Sequence, residues 1–119
     1  MGTILVADDE KTCRDSIQKV LEREGHAVQT AETVDGALEA LELNHFDLVV
    51  CDYRMPGKTG LDLLSEMRLR HSDVPVLMIS AYADALVEST VHELGGLDVL
   101  KKPIRRQELI QRAAKVVGG

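Results

Sequence analysis

Five times along this chain a short apolar run is followed by a longer segment with helical spacing, and that alternation limits what the chain can become. An unbroken apolar run of strand length, without polar residues at every second position, belongs to a strand covered on both faces. Alternation of such strands with helices is the pattern of a parallel sheet sandwiched between helical layers. Ile4-Leu5-Val6-Ala7 leads into Cys13, Ile17, Val20 and Leu21, which share one helical stripe, and Gly25 stops that helix. Ala27 to Thr30 is a weaker strand whose Gln29 and Thr30 suit an edge; Val34, Ala37, Leu38 and Leu41 follow. Leu48-Val49-Val50-Cys51 is the most apolar run and is expected at the centre, with Leu61, Leu64 and Met67 after it. Val74 to Ile79 precedes Val87, Val91 and Leu94, and Val99-Leu100 precedes Leu109, Ile110, Ala113 and Val117. The expected fold is α/β, a doubly wound five-stranded parallel sheet, with residues 1–119 forming a single domain.

Charge and cysteine usage exclude several classes. With 14 basic and 20 acidic residues the net charge is −6, and no basic tract suggests nucleic acid binding by this domain. Cys13 and Cys51 lack CxxC spacing and read as buried free thiols, which suits a reducing compartment. Met1 to Ala7 has no basic leader region, and its apolar stretch is too short for a signal peptide or a membrane span. A cytoplasmic protein without membrane association is expected.

Polar residues stand where the buried strands would end: Asp8-Asp9, Asp52, Ser80 and Lys102. In a doubly wound sheet, ligands bind outside the carboxyl ends of the strands, where the strand order reverses. Right-handed crossovers would bring these residues to one crevice. Three carboxylates and an ammonium there call for a hard cation such as Mg²⁺ (or Mn²⁺) and a charged ligand. Asp9 and Asp52 are the expected direct ligands. Asp8 is assigned to contact through water, because adjacent strand residues point apart, and Glu10 to the start of the next helix. Asp52, alone at the end of the most apolar strand, is the candidate nucleophile toward a phosphoryl group, with Lys102 as counter-charge. Pro103 biases Lys102 away from helix and is compatible with a cis bond that turns the ammonium inward. Ser80 would donate to a phosphoryl oxygen, and small Ala81 leaves room for it. Met55-Pro56-Gly57-Lys58-Thr59-Gly60 reads as a turn leading to a helix near Thr59; the upstream glycine of a phosphate loop is replaced by Asp52. His26, His45, His71 and His92 have no paired metal spacing. Taken singly these residues have plainer readings, as a solvated helix entry, a turn-forming serine and an exposed lysine.

Assembled, they resemble the response-regulator receiver domain of bacterial two-component systems over essentially the whole chain. The resemblance rests on Asp8-Asp9-Glu10, Asp52 with Met55-Pro56 and Gly60, Ser80-Ala81, and Gly95 through Pro103. It implies a flavodoxin-like (βα)5 fold with strand order 2-1-3-4-5, and phosphorylation of Asp52 by a histidine kinase. It further implies Mg²⁺ held by Asp9, Asp52 and the Arg54 carbonyl, and no enzymatic role beyond the domain's own phosphorylation and dephosphorylation. The implied output is a change in the face shared by the fourth helix and the fifth strand and helix. That change would control an effector domain or downstream protein, transcriptional in kind by likeness to activator receivers, with homodimerisation on phosphorylation. Val99 departs from the pattern, since the family usually places an aromatic there and a β-branched side chain cannot swing like a ring. Arg54 and Tyr82 follow site residues by two positions and are expected to shield a phosphoryl group from water. A phosphoaspartyl phosphatase is the competing enzyme reading, but it typically carries a second Asp at the place of Arg54; a degenerate receiver that only binds protein is the other. The chain ends at Val117-Gly118-Gly119, where the last helix would finish, which suits either a piece of a longer regulator or a free-standing one.

Overall fold

In the computed structural model, which describes residues 2–70, 72–81 and 85–117, the five apolar runs are strands: β1 (Thr3–Ala7), β2 (Ala27–Ala31), β3 (Leu48–Asp52), β4 (Val76–Ser80) and β5 (Asp98–Lys101). Between and after them lie α1 (Lys11–Arg23), α2 (Val34–Leu43), α3 (Gly60–Leu69), α4 (Ala85–Glu93) and α5 (Arg106–Val117). All four strand pairings are parallel, in the order β2-β1-β3-β4-β5. The edge position of β2 and the central position of β3 are as expected from their polarity.

Side-chain alternation divides the interior into two cores. Ile4 and Val6, Leu48 and Val50, Leu77 and Ile79, and Leu100 face α1 and α5, meeting Ile17, Leu21, Leu109 and Ala113. The intervening Leu5 and Ala7, Val49 and Cys51, Val76 and Met78, and Val99 face α2, α3 and α4, meeting Leu38, Leu63, Leu64 and Val91. Because strand side chains alternate with period 2, a strand whose residues are all apolar supplies both layers at once. In β3 and β4 every residue is buried.

Local signals set the boundaries. Gly25 adopts φ 92° beyond the end of α1, a left-handed conformation favourable to glycine. Thr59 begins α3 with a capping box, its hydroxyl accepting from Asp62 N while the Asp62 carboxylate accepts from Thr59 N. β4 starts at Val76, two residues later than the apolar run suggested, since Pro75 has no N–H and joins the sheet only through its carbonyl, which accepts from Val49 N at 2.9 Å. Arg68 on α3 closes the opposite end of the molecule by donating to four carbonyls: Ser72 and Val74 before β4, and Leu94 and Gly95 after α4. Cys51 is fully buried, whereas Cys13 is only partly so, which corrects the reading of both thiols as buried. Both are free. Among the described residues no helix is long and apolar enough to cross a membrane.

Gly60, at the first turn of α3, touches the end of β3. A Cβ there would lie 2.5 Å from Met78 Sδ and 2.7 Å from the Asp52 carbonyl oxygen. Overpacking of this kind typically costs about 1–3 kcal/mol, so Gly60→Ala is expected to lower the urea midpoint correspondingly. An unchanged midpoint would show that helix and strand can separate without loss.

Candidate functional site

Strand register determines which residues meet at the carboxyl rim. Ala7 pairs with Cys51, Asp52 with Ile79, and Ser80 with Lys101. Asp8, one residue past Ala7, is therefore level with Asp52; Ser80 lies one step beyond them, and Lys102 follows Lys101. The order reverses between β1 and β3, so the crevice opens where Asp8 and Asp52 stand side by side.

Carboxylate oxygens of Asp8, Asp9 and Asp52 lie within 4.8 Å of one another. Asp8 and Asp52 are buried, and Asp9 is exposed. The strand-alternation argument that would keep Asp8 away from a common centre does not operate, because β1 ends at Ala7 and both aspartates lie in the turn beyond it. Asp8 Oδ1 accepts from Glu10 N at 2.9 Å. Its buried Oδ2 has no hydrogen-bond partner among the described residues. A buried carboxylate oxygen left unsatisfied is costly, and a hard cation with oxygen ligands would satisfy it, so this donor set fits Mg²⁺.

Across the crevice Lys102 Nζ donates to Asp52 Oδ2 at 2.9 Å. The side chain of Asp52 is 7% exposed and that of Lys102 28%, so this ion pair is largely shielded from water. Burial pulls the Lys102 ammonium toward deprotonation, but its bond to Asp52 and the surrounding acids outweigh that and raise its pKa. The Lys102-Pro103 bond is cis, and the Lys102 N–H donates to the Ser80 carbonyl at 2.8 Å. Ser80 itself is 1% exposed. Ala81 beyond it is exposed, and Tyr82 lies outside the described residues.

The β3–α3 turn frames the other side. Arg54 is exposed, its backbone N is 3.4 Å from Asp52 Oδ1, and it forms an isolated antiparallel bridge with Thr59. Met55 is buried against the α2–α3–α4 core, whereas Pro56 is exposed. Val99 is buried in that same core, in a layer that includes Met78 and Val91. Glu10 precedes α1 as its N-cap but makes no side-chain capping bond, so it contributes charge rather than a cap.

Two α1 residues bordering the site escape a reading of the sequence alone. Burial first, then the adjacent Asp8 carboxylate, pushes the Cys13 thiol up to about 12, so it stays protonated. Arg14 is 8% exposed and donates to the Asp8 carbonyl at 3.0 Å and to Glu32 Oε1 at 3.1 Å. Its signal is a charge on the buried stripe with Ile17 and Leu21, at i, i+3 and i+7.

The family described as response regulator receiver domain matches residues 4–114. The chain belongs to this family. It is 34% identical over 108 residues to the transcriptional regulatory protein FixJ of Bradyrhizobium diazoefficiens, a match covering 91% of this chain and 53% of FixJ. The chain thus spans about half the length of the curated relatives it first matches. The receiver domain of the Francisella response regulator 1452 superposes with a TM-score of 0.92 at 30% identity, covering 98% of this chain and 96% of that one. TrrA from Thermotoga maritima, solved in complex with Mg(2+)-BeF, superposes with a TM-score of 0.87 at 30% identity, covering 98% of this chain and 100% of TrrA.

Burial, more than the neighbouring Asp52, raises the Asp8 carboxyl above its ordinary value, against the smaller lowering effects of Cys13, Glu10 N and Lys102. A raised folded pKa means that the stabilising contribution is full below the ordinary aspartate range and is lost as pH rises through the folded value. In chelator at pH 7, Asp8→Asn is therefore expected to melt above the parent, with the difference closing as the pH falls below the aspartate range. A variant melting below the parent at pH 7 would contradict this.

Proposed function

We propose that this receiver domain is a phosphorylation-controlled switch whose acceptor is Asp52. The observation that carries the reading is the shielded Asp52–Lys102 pair beside the unsatisfied Asp8 oxygen. Asp52 is the nucleophile: one carboxylate oxygen attacks phosphorus, and an O–P bond forms as the N–P bond to a phosphohistidine of the partner kinase breaks. The imidazole keeps the electron pair of the broken bond and, with its other ring nitrogen already protonated, leaves as the neutral ring. Lys102 holds the Asp52 carboxylate beforehand and meets the phosphoryl oxygens afterwards, as a compact cation suited to phosphate. Ser80 supplies a hydroxyl from the neighbouring strand end.

Asp9 and Asp52, with the Arg54 carbonyl, would hold Mg²⁺ or Mn²⁺ directly, and Asp8 would meet it through water. When bound, the ion neutralises charge on the transferred group. Likeness to TrrA, which was solved with Mg(2+)-BeF, supports this cofactor assignment. The phosphatase alternative is weakened by Arg54, which meets Asp52 through its backbone N–H and offers no second carboxylate. A degenerate receiver is disfavoured because every acid and Lys102 is in place.

The output we assign is transcriptional regulation in the cytoplasm, by an effector domain or downstream protein, supported by likeness to FixJ. The switching surface is the α4–β5–α5 face. Ser80 lies at its input end, while buried Val99, which cannot rotate as a ring does, ties β5 to the α4 layer. Homodimerisation through this face on phosphorylation belongs to the same reading.

Incubation with acetyl phosphate and Mg²⁺ is expected to add the mass of one phosphoryl group, and Asp52→Asn to abolish the addition. Persistence of the addition in Asp52→Asn would move the acceptor elsewhere. Amide exchange with and without a phosphate mimic is expected to differ over residues 85–100; unchanged protection there would reject the α4–β5–α5 assignment.

A further inference from the structure

The crevice acids are placed by different means. Asp52 is the last residue of a strand buried throughout, so the sheet fixes it. Asp8 and Asp9 follow the end of β1, so strand register sets Asp8 level with Asp52 but does not fix how far Asp9, one residue further, reaches toward the crevice. That reach depends on the bonds that hold the turn.

Three such bonds surround Asp8. Its N–H donates to the Ala31 carbonyl at 3.0 Å, which ties the turn to the end of β2. Its Oδ1 accepts from Glu10 N at 2.9 Å. Its carbonyl accepts from Arg14 Nη1 at 3.0 Å, a buried bond from the first turns of α1. That carbonyl belongs to the peptide unit joining Asp8 to Asp9. Rotation of this peptide would swing the exposed Asp9 side chain away from the other two carboxylates. The second fork of the guanidinium meets Glu32 Oε1, and because the Glu32 side chain is 72% exposed that bond is screened and weaker. The planar fork of Arg suits one group that must grip a carbonyl from inside α1 while reaching a carboxylate just past β2.

We propose that Arg14 is a positioning residue for the cation site. By holding the Asp8–Asp9 peptide it sets the reach of Asp9 toward Asp52, and cation affinity depends on it although it touches no cation. This rests on the reading of Asp8, Asp9 and Asp52 as the cation site. Partners that orient metal ligands typically contribute about 10–100-fold in affinity.

The test is Mn²⁺ binding to the whole chain, read as free Mn²⁺ by electron paramagnetic resonance, beside a thermal melt of each protein in chelator. Arg14→Met, which keeps the apolar stem and removes both forks, is expected to weaken Mn²⁺ binding about tenfold or more. Glu32→Gln is expected to stay within about twofold of the parent, because the carbonyl bond remains. Ile17→Val, a core change on the same helix, is expected to lower the melting temperature without moving Mn²⁺ affinity, which separates positioning from general loss of stability. Should Arg14→Met not fold, Arg14→Lys serves instead: its single ammonium cannot reproduce the fork, so reduced affinity is expected. Parent-like affinity in the folded Arg14 variant would overturn the proposal. A parent that binds no Mn²⁺, or an Asp9→Asn variant that binds like the parent, would overturn the cation-site reading on which it stands.

Discussion

Three carboxylates with oxygens within 4.8 Å repel one another, and the structure of the carboxyl rim follows from holding them there. The sheet supplies the rigid part of the restraint. Parallel pairing of β1 with β3 fixes Asp8 level with Asp52, and the buried layers on both sides leave neither strand free to slide, since a one-residue slip would turn every core side chain to the wrong face. Lys102 supplies one counter-charge from the far side of the crevice. A single ammonium does not balance three carboxylates, and the resulting local excess of negative charge is what suits the rim to a cation.

Much of this is legible in the sequence, for a physical reason. In a fully buried parallel sheet the first polar residue after an apolar run marks the strand end, so Asp52 and Ser80 can be placed without coordinates. Lys102 follows from the run before it and from the proline after it. Strand order is not legible from periodicity, because nearly every strand is covered on both faces and only the polarity of β2 distinguishes an edge; the order comes through family resemblance. Legibility ends where the chain leaves regular structure. The alternation rule does not extend to Asp8 and Asp9, since β1 has already ended, and Pro75 delays the start of β4 past the first apolar residue of its run. Arg14 is invisible to a search for the α1 stripe among apolar residues alone, yet a charge on such a stripe has to find buried partners, and here it finds the Asp8 carbonyl.

The two cores also separate duties. The layer under α1 and α5 abuts the crevice through Cys13 and Lys102, whose neighbours Ile17, Ile104 and Leu109 line one groove of about 550 Å³ with them. The opposite layer contains Val99, Met78 and Val91, which connect β5 and β4 to α4. The sheet stands between them, and each strand contributes to both, so a displacement at a strand end is felt on either face.

Arg68 gives that arrangement a mechanical asymmetry. Its guanidinium bonds the Leu94 and Gly95 carbonyls, and through Ser72 and Val74 it anchors the same end of α4 to the base of the sheet. A rod clamped at one end behaves as a lever. A tilt of α4 about that anchorage would have its fulcrum near Leu94 and its widest arc at Ala85.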